Sequence, residues 1–421
     1  MIYVPAILLG RAVRVLIRLL RPGGGSALPG LVLSKVAPGL LAKTLGGFAD
    51  GLIVVTGSAG KSTTTKMFVA IARAHGKQVF TNPSTANIQQ GFFSSIVEQS
   101  NLFGRIEGDV AILEMDEGHA AEITKRISPR QVTVLNVLED QLDRFIDPAL
   151  VRNKLAEVAA RATTALVLNA DDQNTLLIQN SVESKTTSWF GVSPTLISNS
   201  LHGLGNAPTF LGELPRPAVQ TEILAQGEET LAKSLDSQIS FTLPNRGIHF
   251  ALDAAAALES ARRYLGDSFD EKLAAVTLSE LPPVFARGEI TKVNGVDVEF
   301  ILVQNPMSFQ LNLDNLPADQ EQVMVAIGRD VHDPSWLWTV DLSKMPKVDV
   351  VTGFNYAEMA LRLAYEEIEI AEIVPELEDA LDLFFKLPAP TWGRRTVIFS
   401  ADAMRRTRRA LGFVDPEAVG R

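Results

Sequence analysis

The segment Val55-Thr56-Gly57-Ser58-Ala59-Gly60-Lys61-Ser62-Thr63-Thr64 constrains this chain more than any other stretch. It follows the apolar run Leu52-Ile53-Val54-Val55 and leads into a helical pattern through Met67, Phe68, Ala70, Ile71 and Ala74. A buried strand, a glycine-containing loop and a helix start, in that order, are what a phosphate-binding loop requires. The glycines let backbone N–H groups approach an oxyanion, and the helix N-terminus adds partial positive charge. On this reading Gly57 and Gly60 shape the cradle, Lys61 reaches the terminal phosphates, and the Ser62 or Thr63 hydroxyl holds Mg2+. The competing reading, a tight turn that merely contains glycine, leaves Lys-Ser-Thr after the second glycine unexplained. ATP is the expected ligand.

Beyond the loop, short apolar runs alternate with helical patterns. Strands are expected at Gln78 to Thr81, Val110 to Leu113, Val132 to Leu135 and Ala165 to Leu168, with helices at Gln89 to Glu98 and Ala149 to Arg161. That alternation predicts an α/β fold built on a mainly parallel sheet. Ligands of such sheets sit at the carboxyl ends of the strands. Polar clusters follow three of the runs: Glu114-Met115-Asp116-Glu117, then Asn136 to Asp143, then Asn169-Ala170-Asp171-Asp172. Carboxylates facing a triphosphate repel it unless a hard cation intervenes, so Glu114 is a candidate Mg2+ ligand. Each cluster alone reads equally as a solvated loop or a helix cap. Their register with the phosphate loop favours the site.

After Leu281-Pro282-Pro283 the pattern restarts. Ile290 to Val293 and Val296 to Val303 predict a hairpin around Asn294-Gly295. Val323 to Ile327 and Val348 to Thr352 predict further strands, and Tyr356 to Tyr365 a helix. The expected organisation is an N-terminal helical segment (1–45), an ATP-binding domain (46–282) with a variable stretch at about 182–240, and a C-terminal α/β domain (283–421). The arginines between Arg394 and Arg409 read most simply as a solvated helix face, with an acidic partner as the other reading.

A net charge of −10 gives no basic field for phosphate backbones, so nucleic acid is not an expected partner. None of the 421 residues is Cys, which excludes disulfides, thiolate zinc sites and a cysteine nucleophile within this sequence, and suits a cytoplasmic setting. Ile2 to Leu20 is apolar, but Arg11, Arg14 and Arg18 recur at helical spacing opposite Leu8, Val13, Leu16 and Leu20, and no run approaches the ~20 residues that span a bilayer. An amphipathic helix packed on its own domain is expected. A helix lying at the inner face of a membrane is the second reading.

Only two residues, Ser58 and Ala59, separate the loop glycines. This short form resembles the Mur ligase superfamily, and other motifs narrow the resemblance to the MurT family, synthetase subunits of lipid II isoglutaminyl synthase. They are Gly23 to Gly30, Thr81-Asn82-Pro83-Ser84-Thr85-Ala86-Asn87, Asp140-Gln141-Leu142-Asp143, Leu168 to Asp172, Phe285-Ala286-Arg287-Gly288-Glu289, Asn305-Pro306 and Asp333-Pro334-Ser335-Trp336-Leu337-Trp338. The resemblance implies a Mur ligase-type central P-loop domain and a C-terminal α/β domain. It implies that Lys61 and Ser62 hold ATP phosphates and Mg2+, with Glu114 on the metal. Asn87 and Asn136 would face the phosphate and acyl-acceptor region, and Arg287 and Asn305 the nucleotide. The Asn169 to Asp172 motif would be nucleotide-binding, and Asp333 would complete a Cys–His–Asp triad with a GatD-like glutaminase.

The implied reaction amidates the α-carboxyl of D-glutamate in the lipid II stem peptide, through an acyl phosphate and with ammonia from glutamine. Glutamine hydrolysis normally uses an activated thiolate. This sequence has none, so a partner subunit is expected. The chain departs from the family where relatives carry a four-cysteine zinc ribbon, so no zinc is expected. It also has Gln304 in place of the usual Lys, and His249-Phe250-Ala251-Leu252-Asp253 where adenine contacts commonly lie. Lys154, at the distance of a carbamylated Mur lysine, reads as an ordinary exposed lysine, and Trp336 and Trp338 as packing residues. Two other readings stay open. One is a Mur-type ligase adding an amino acid, against which stand the mere ~45 residues before the loop strand. The other is a non-catalytic nucleotide-binding subunit.

Overall fold

The computed structural model describes residues 3–20, 27–83, 88–138, 147–182, 186–235, 237–282, 287–317, 320–345 and 347–413, with the side chains of Arg18, Leu20, Ala27 and Arg287 left out. Asn87, the Glu139 to Asp143 cluster and Phe285-Ala286 therefore lie outside the described residues.

Three helices come first, α1 (Val4–Leu20), α2 (Ala27–Val36) and α3 (Leu40–Leu45). Strands and helices then alternate: β1 (Leu52–Thr56), α4 (Lys61–Ala74), β2 (Val79–Phe80), α5 (Gln89–Gln99), β3 (Val110–Glu114) and α6 (Glu117–Thr124). The alternation continues through β4 (Gln131–Val134), α7 (Pro148–Ala160), β5 (Ala165–Asn169), α8 (Gln173–Asn180), β6 (Thr186–Val192) and α9 (Pro194–Asn199). An antiparallel run follows, β7 (Thr221–Gln226), β8 (Thr230–Ser234) and β9 (Ser237–Phe241), before α10 (Ile248–Leu265) and α11 (Glu271–Ser279).

Among the described residues these strands form one sheet in the order β2-β3-β1-β4-β5-β6-β7-β8-β9. It is parallel from β2 to β7 and antiparallel from there to β9. The region expected to be a variable stretch of loops and short strands is thus the outer edge of the main sheet. β1, β3, β4 and β5 are buried along their whole length, as unbroken apolar runs in a parallel sheet should be. One face packs on α1, α2, α3, α5, α6, α7 and α8. The other packs on α4, α10 and α11, where the Ala254 to Ala257 run lets α10 approach closely.

The second sheet uses β10 (Arg287–Val293), β11 (Val296–Leu302), β12 (Gln322–Ala326), β13 (Val348–Thr352), β14 (Ile370–Ile373) and β15 (Arg395–Phe399), in the order β10-β11-β15-β12-β13-β14. Among the described residues only the β10–β11 hairpin of this sheet is antiparallel, with Asn294 and Gly295 both at positive φ in its turn. Helices α12 (Pro306–Asp314), α13 (Tyr356–Tyr365), α14 (Leu377–Lys386) and α15 (Ala401–Ala410), with a 3-10 helix at Pro334–Thr339, cover it.

Two expectations need correction. The first concerns α1, which packs on its own domain with the opposite face to the one expected. Arg11 donates to Val97 O (3.2 Å) and Ser100 O (2.5 Å), and Arg14 pairs with Glu98, while Leu8 and Leu16 point outward. The last carbonyls of α5 lack helical partners, and guanidinium groups supply the donors. The second concerns the C-terminal arginines, two of which, Arg395 and Arg408, are buried, while Arg405 and Arg409 are exposed. Arg395 is buried in β15 and donates to Gln322 Oε1 (2.7 Å), Phe385 O (3.3 Å) and Leu387 O, again at a helix C-terminus. Arg408 pairs with Glu289 (2.7 Å) and Arg406 with Glu378 (2.6 Å).

Candidate active site

β1 lies between β3 and β4, the point where the strand order of the main sheet reverses, so its carboxyl end opens into a crevice. The chain leaves β1 through Gly57 (φ +136°) and Gly60 (φ +81°), conformations that glycine adopts without strain. A Cβ on Gly57 would lie 3.0 Å from Asn136 N, and one on Gly60 would lie 2.1 Å from Asp253 Oδ1. Helix α4 starts at once with Lys61.

Asn136, just past β4, braces this loop. Its backbone oxygen accepts from Ser58 N (3.0 Å), its Oδ1 accepts from Ala59 N (2.9 Å), and its Nδ2 donates to Ala59 O (3.3 Å). Lys61 Nζ donates to Gly57 O and Ser58 O and pairs with Glu117 Oε1 at 3.3 Å, with both side chains buried. Ser62 Oγ donates to Glu114 Oε1 at 3.0 Å. Glu114 ends β3 and is held by Asn82, whose amide exchanges two hydrogen bonds with its backbone (3.0 and 3.1 Å). Thr63 Oγ1 is buried with no hydrogen-bond partner in the structure.

These residues form one wall of a cleft of about 840 Å³ between the two sheets. The opposite wall comes from the carboxyl ends of β11, β12 and β15. Asn305 lines it and caps α12, accepting from Ser308 N (2.7 Å) while Ser308 Oγ accepts from Asn305 N (3.1 Å). Asp330 accepts from Ser400 Oγ (2.6 Å), Ala401 N (2.8 Å) and Asp402 N (2.9 Å), fixing the start of α15. Asp333 lines the same wall, exposed, and caps the 3-10 helix by accepting from Ser335 N (2.9 Å). The Ser335 side-chain and backbone donors hold its carboxyl below the ordinary aspartate value. Arg405 of α15 reaches the cleft, as do Gln304, His249, Phe250 and Asp253. His202 bridges the walls, 3.0 Å from Asp314 and 3.4 Å from Asp341.

Other sequence candidates lie elsewhere. Asn169 is fully buried, donating to Leu135 O (2.9 Å) and accepting from Asp171 N (2.9 Å). Asp172 caps α8 and accepts from Val137 N (2.7 Å) and Asn174 N (2.8 Å). Burial pushes its carboxyl up to about 6 despite those donors. The pair ties the β4 and β5 exits together behind the cleft. Arg287 opens β10, its side chain outside the described residues. Lys154 sits on α7 and pairs with Glu157 at 2.9 Å. Trp336 packs edge-on against Phe309, and Trp338 against Tyr365. Sequence reasoning gave no role to Glu117, though it stands in the quoted acidic cluster, and none to Asp330, His202 or Arg405, which become neighbours of the site only through the second sheet.

The phosphate cradle fits its ligands. Positive-φ glycines, a helix start, a buried lysine and the unpartnered Thr63 hydroxyl suit phosphate oxygens. One hydroxyl and one carboxylate suit Mg2+, which keeps several waters and binds through few protein groups.

The chain matches the family model described as the Mur ligase middle domain over residues 55–196, and that described as MurT ligase C-terminal over residues 302–391. It is 30% identical over 381 residues to the lipid II isoglutaminyl synthase (glutamine-hydrolyzing) subunit MurT of Staphylococcus aureus (strain COL), covering 83% of this chain and 85% of that protein. Its identity to the subunit of the same name from Streptococcus pneumoniae is 25% over 383 residues, covering 82% and 83%. Among solved structures it is similar to MurF ligase from Thermotoga maritima in complex with ADP, with a TM-score of 0.63 and 20% identity over 91% of this chain and 83% of that one. That likeness concerns the fold.

Proposed function

The chain belongs to the MurT family of ligases that form C–N bonds, and from that premise we propose that it is the synthetase subunit of a lipid II isoglutaminyl synthase. It amidates the α-carboxyl of D-glutamate in the lipid II stem peptide to D-isoglutamine during peptidoglycan synthesis. The observation that carries this reading is the facing of Lys61, Ser62 and Glu114 on one wall by Asp333 on the other, across a single cleft.

The chemistry follows from the groups present. A carboxylate does not react with ammonia in water because oxide is a poor leaving group. Transfer of the γ-phosphoryl of ATP to one carboxylate oxygen gives an acyl phosphate. Ammonia then attacks the carbonyl carbon, the C–N bond forms, the C–O bond to phosphate breaks, and a proton leaves the nitrogen. The products are amide, ADP and phosphate. Bound Mg2+ would neutralise charge on the phosphates, held by Ser62 and Glu114. Lys61 supplies a fixed cation where negative charge develops, and Asn136 keeps the loop in position for it. Glu117 pairs with the lysine and fixes its position beside the loop.

With no Cys in the sequence, glutamine hydrolysis falls to a GatD-like partner, and Asp333 is the group offered to it. Its exposure on the cleft wall and its depressed carboxyl suit an aspartate that orients a histidine of another chain. The proposal is tested by supplying acceptor labelled with 18O in the reacting carboxylate, together with ATP, Mg2+ and ammonium. Label is expected in the released phosphate. Product formed without label in phosphate would contradict the acyl phosphate.

A further inference from the structure

The outward face of α1 has no counterpart in the reaction. Leu8, Leu9, Ala12, Val15, Leu16 and Leu19 recur at helical spacing and are all exposed, with Leu16 at 56% and Leu19 at 75%. Water-soluble helices turn such a stripe inward. Here the inward positions are taken by Ala6, Ile7 and Gly10, with Arg11 and Arg14 tied to the end of α5. A Cβ on Gly10 would lie 2.4 Å from Leu33, so α1 is seated closely on α2 and its orientation is fixed by packing. Leu8, Leu9, Leu16 and Leu19 are therefore held outward.

We propose that this face is a seat for the surface of an anionic lipid bilayer. Charge selects this occupant over another protein surface. Arg11, Arg14, Arg18, Arg21, Lys35 and Lys43 are the only charged side chains before Asp50, the first carboxylate in a chain whose net charge is −10. Six of the 39 basic side chains and none of the 49 acidic ones precede Asp50, so the segment that exposes this apolar stripe is locally cationic in an acidic chain. That combination suits a helix lying in the interface plane, its apolar side in the headgroup boundary and the net positive charge of its segment favouring an anionic surface. At 17 residues α1 is about 25 Å long, and among the described residues no helix is long and apolar enough to cross a membrane. α2, packed on α1, exposes Leu28 and Val36 beside Lys35 and extends the same chemistry. The inference does not rest on the reaction proposed above. If both hold, the cleft works beside a bilayer that carries its acceptor.

Sedimentation of the full chain with vesicles tests it. The wild type is expected to pellet with phosphatidylcholine vesicles containing phosphatidylglycerol, to remain in the supernatant with phosphatidylcholine alone, and to be released by high salt. The variant Leu8→Ser/Leu16→Ser/Leu19→Ser is expected to lose about tenfold or more in partitioning while its melting temperature stays unchanged, because those side chains touch little of the protein. Leu19→Asp alone, at the most exposed position, is expected to act in the same direction. A wild type that stays in the supernatant with both lipids overturns the proposal, and so does a triple variant that pellets as well as the wild type. A concentration-dependent dimer abolished by the triple variant, without vesicle binding, assigns the face to a second copy and overturns it too. None of these outcomes depends on ligase activity.

Discussion

Ser62 Oγ and Glu114 Oε1 stand 3.0 Å apart although 52 positions separate them in sequence. The contact joins the first turn of α4 to the last residue of β3, across the reversal point of the sheet. A hydroxyl and a carboxylate brought together beside a phosphate cradle supply two oxygen ligands for a hard cation. Glu114→Gln keeps the shape and removes the charge. It is expected to raise the Mg2+ concentration needed for half-maximal turnover by about tenfold or more. An unchanged Mg2+ dependence, measured by titration at saturating ATP, would remove Glu114 from the metal.

Lys61 lines the cleft and is held by two loop carbonyls and by Glu117 (3.3 Å). Lys61→Ala is expected to lower ATP turnover on the order of a thousandfold. Turnover is read as ADP release with acceptor and ammonium present. The same substitution leaves Glu117 buried without its cation, so a fall in melting temperature accompanies it. A variant with wild-type turnover would make the subunit's chemistry independent of this loop.

Asp333 is exposed on the cleft wall, and among the described residues its contact is the cap on Ser335. Asp333→Asn is expected to abolish most glutamine-dependent amidation in the presence of the partner while ammonium still supports it. Equal losses with both nitrogen sources would place Asp333 in the synthetase chemistry or in local folding instead.

Asp172 makes a pH prediction whose sign is opposite to that of a typical paired carboxylate. Its carboxyl is raised from 3.8 to about 6 by complete burial, so the native state holds a proton that the unfolded chain has released. Stability from this group is full below pH 3.8 and is lost as pH rises through about 6. Asp172→Asn removes that dependence and leaves one of the Val137 and Asn174 amides facing an NH2 group. The substitution is expected to be nearly neutral at pH 7 and to cost about 1 kcal/mol near pH 5. The check is denaturant unfolding of both proteins at the two pH values. A difference that does not change with pH would contradict the buried proton. The Michaelis constant for ATP is expected to stay the same, since Asp172 lies behind the cleft.

The central sheet and its loop were legible in sequence because local rules act alone there. Apolar runs such as Leu52 to Val55 form buried parallel strands, and Gly-Lys-Ser-Thr after a strand has few other uses. Glu114 followed from the rule that ligands meet strand ends. The resemblance to a family supplied Asp333, which a reading of caps alone would have left as an N-cap. What stayed hidden depended on distant partners. Asn169 and Asp172 look like site residues in a motif, yet their side chains close hydrogen bonds between the β4 and β5 exits. Arg11 and Arg14 look like a surface stripe until the end of α5 brings carbonyls to one and Glu98 to the other. Arg395 and Arg408 look like surface charge until α14 and Glu289 arrive. Glu117 gains meaning only when α6 is brought against Lys61, and Arg405 only when two sheets face each other, and no local pattern encodes either.

The most direct test of the account is mass spectrometry of lipid II after incubation with this protein, ATP and Mg2+, in one arm with ammonium and in the other with glutamine and a GatD-like partner. The account predicts conversion of one stem-peptide carboxylate to the amide in both arms, and in neither arm with Lys61→Ala. Lipid II left unamidated in both arms, with both proteins folded and ATP bound, would contradict it.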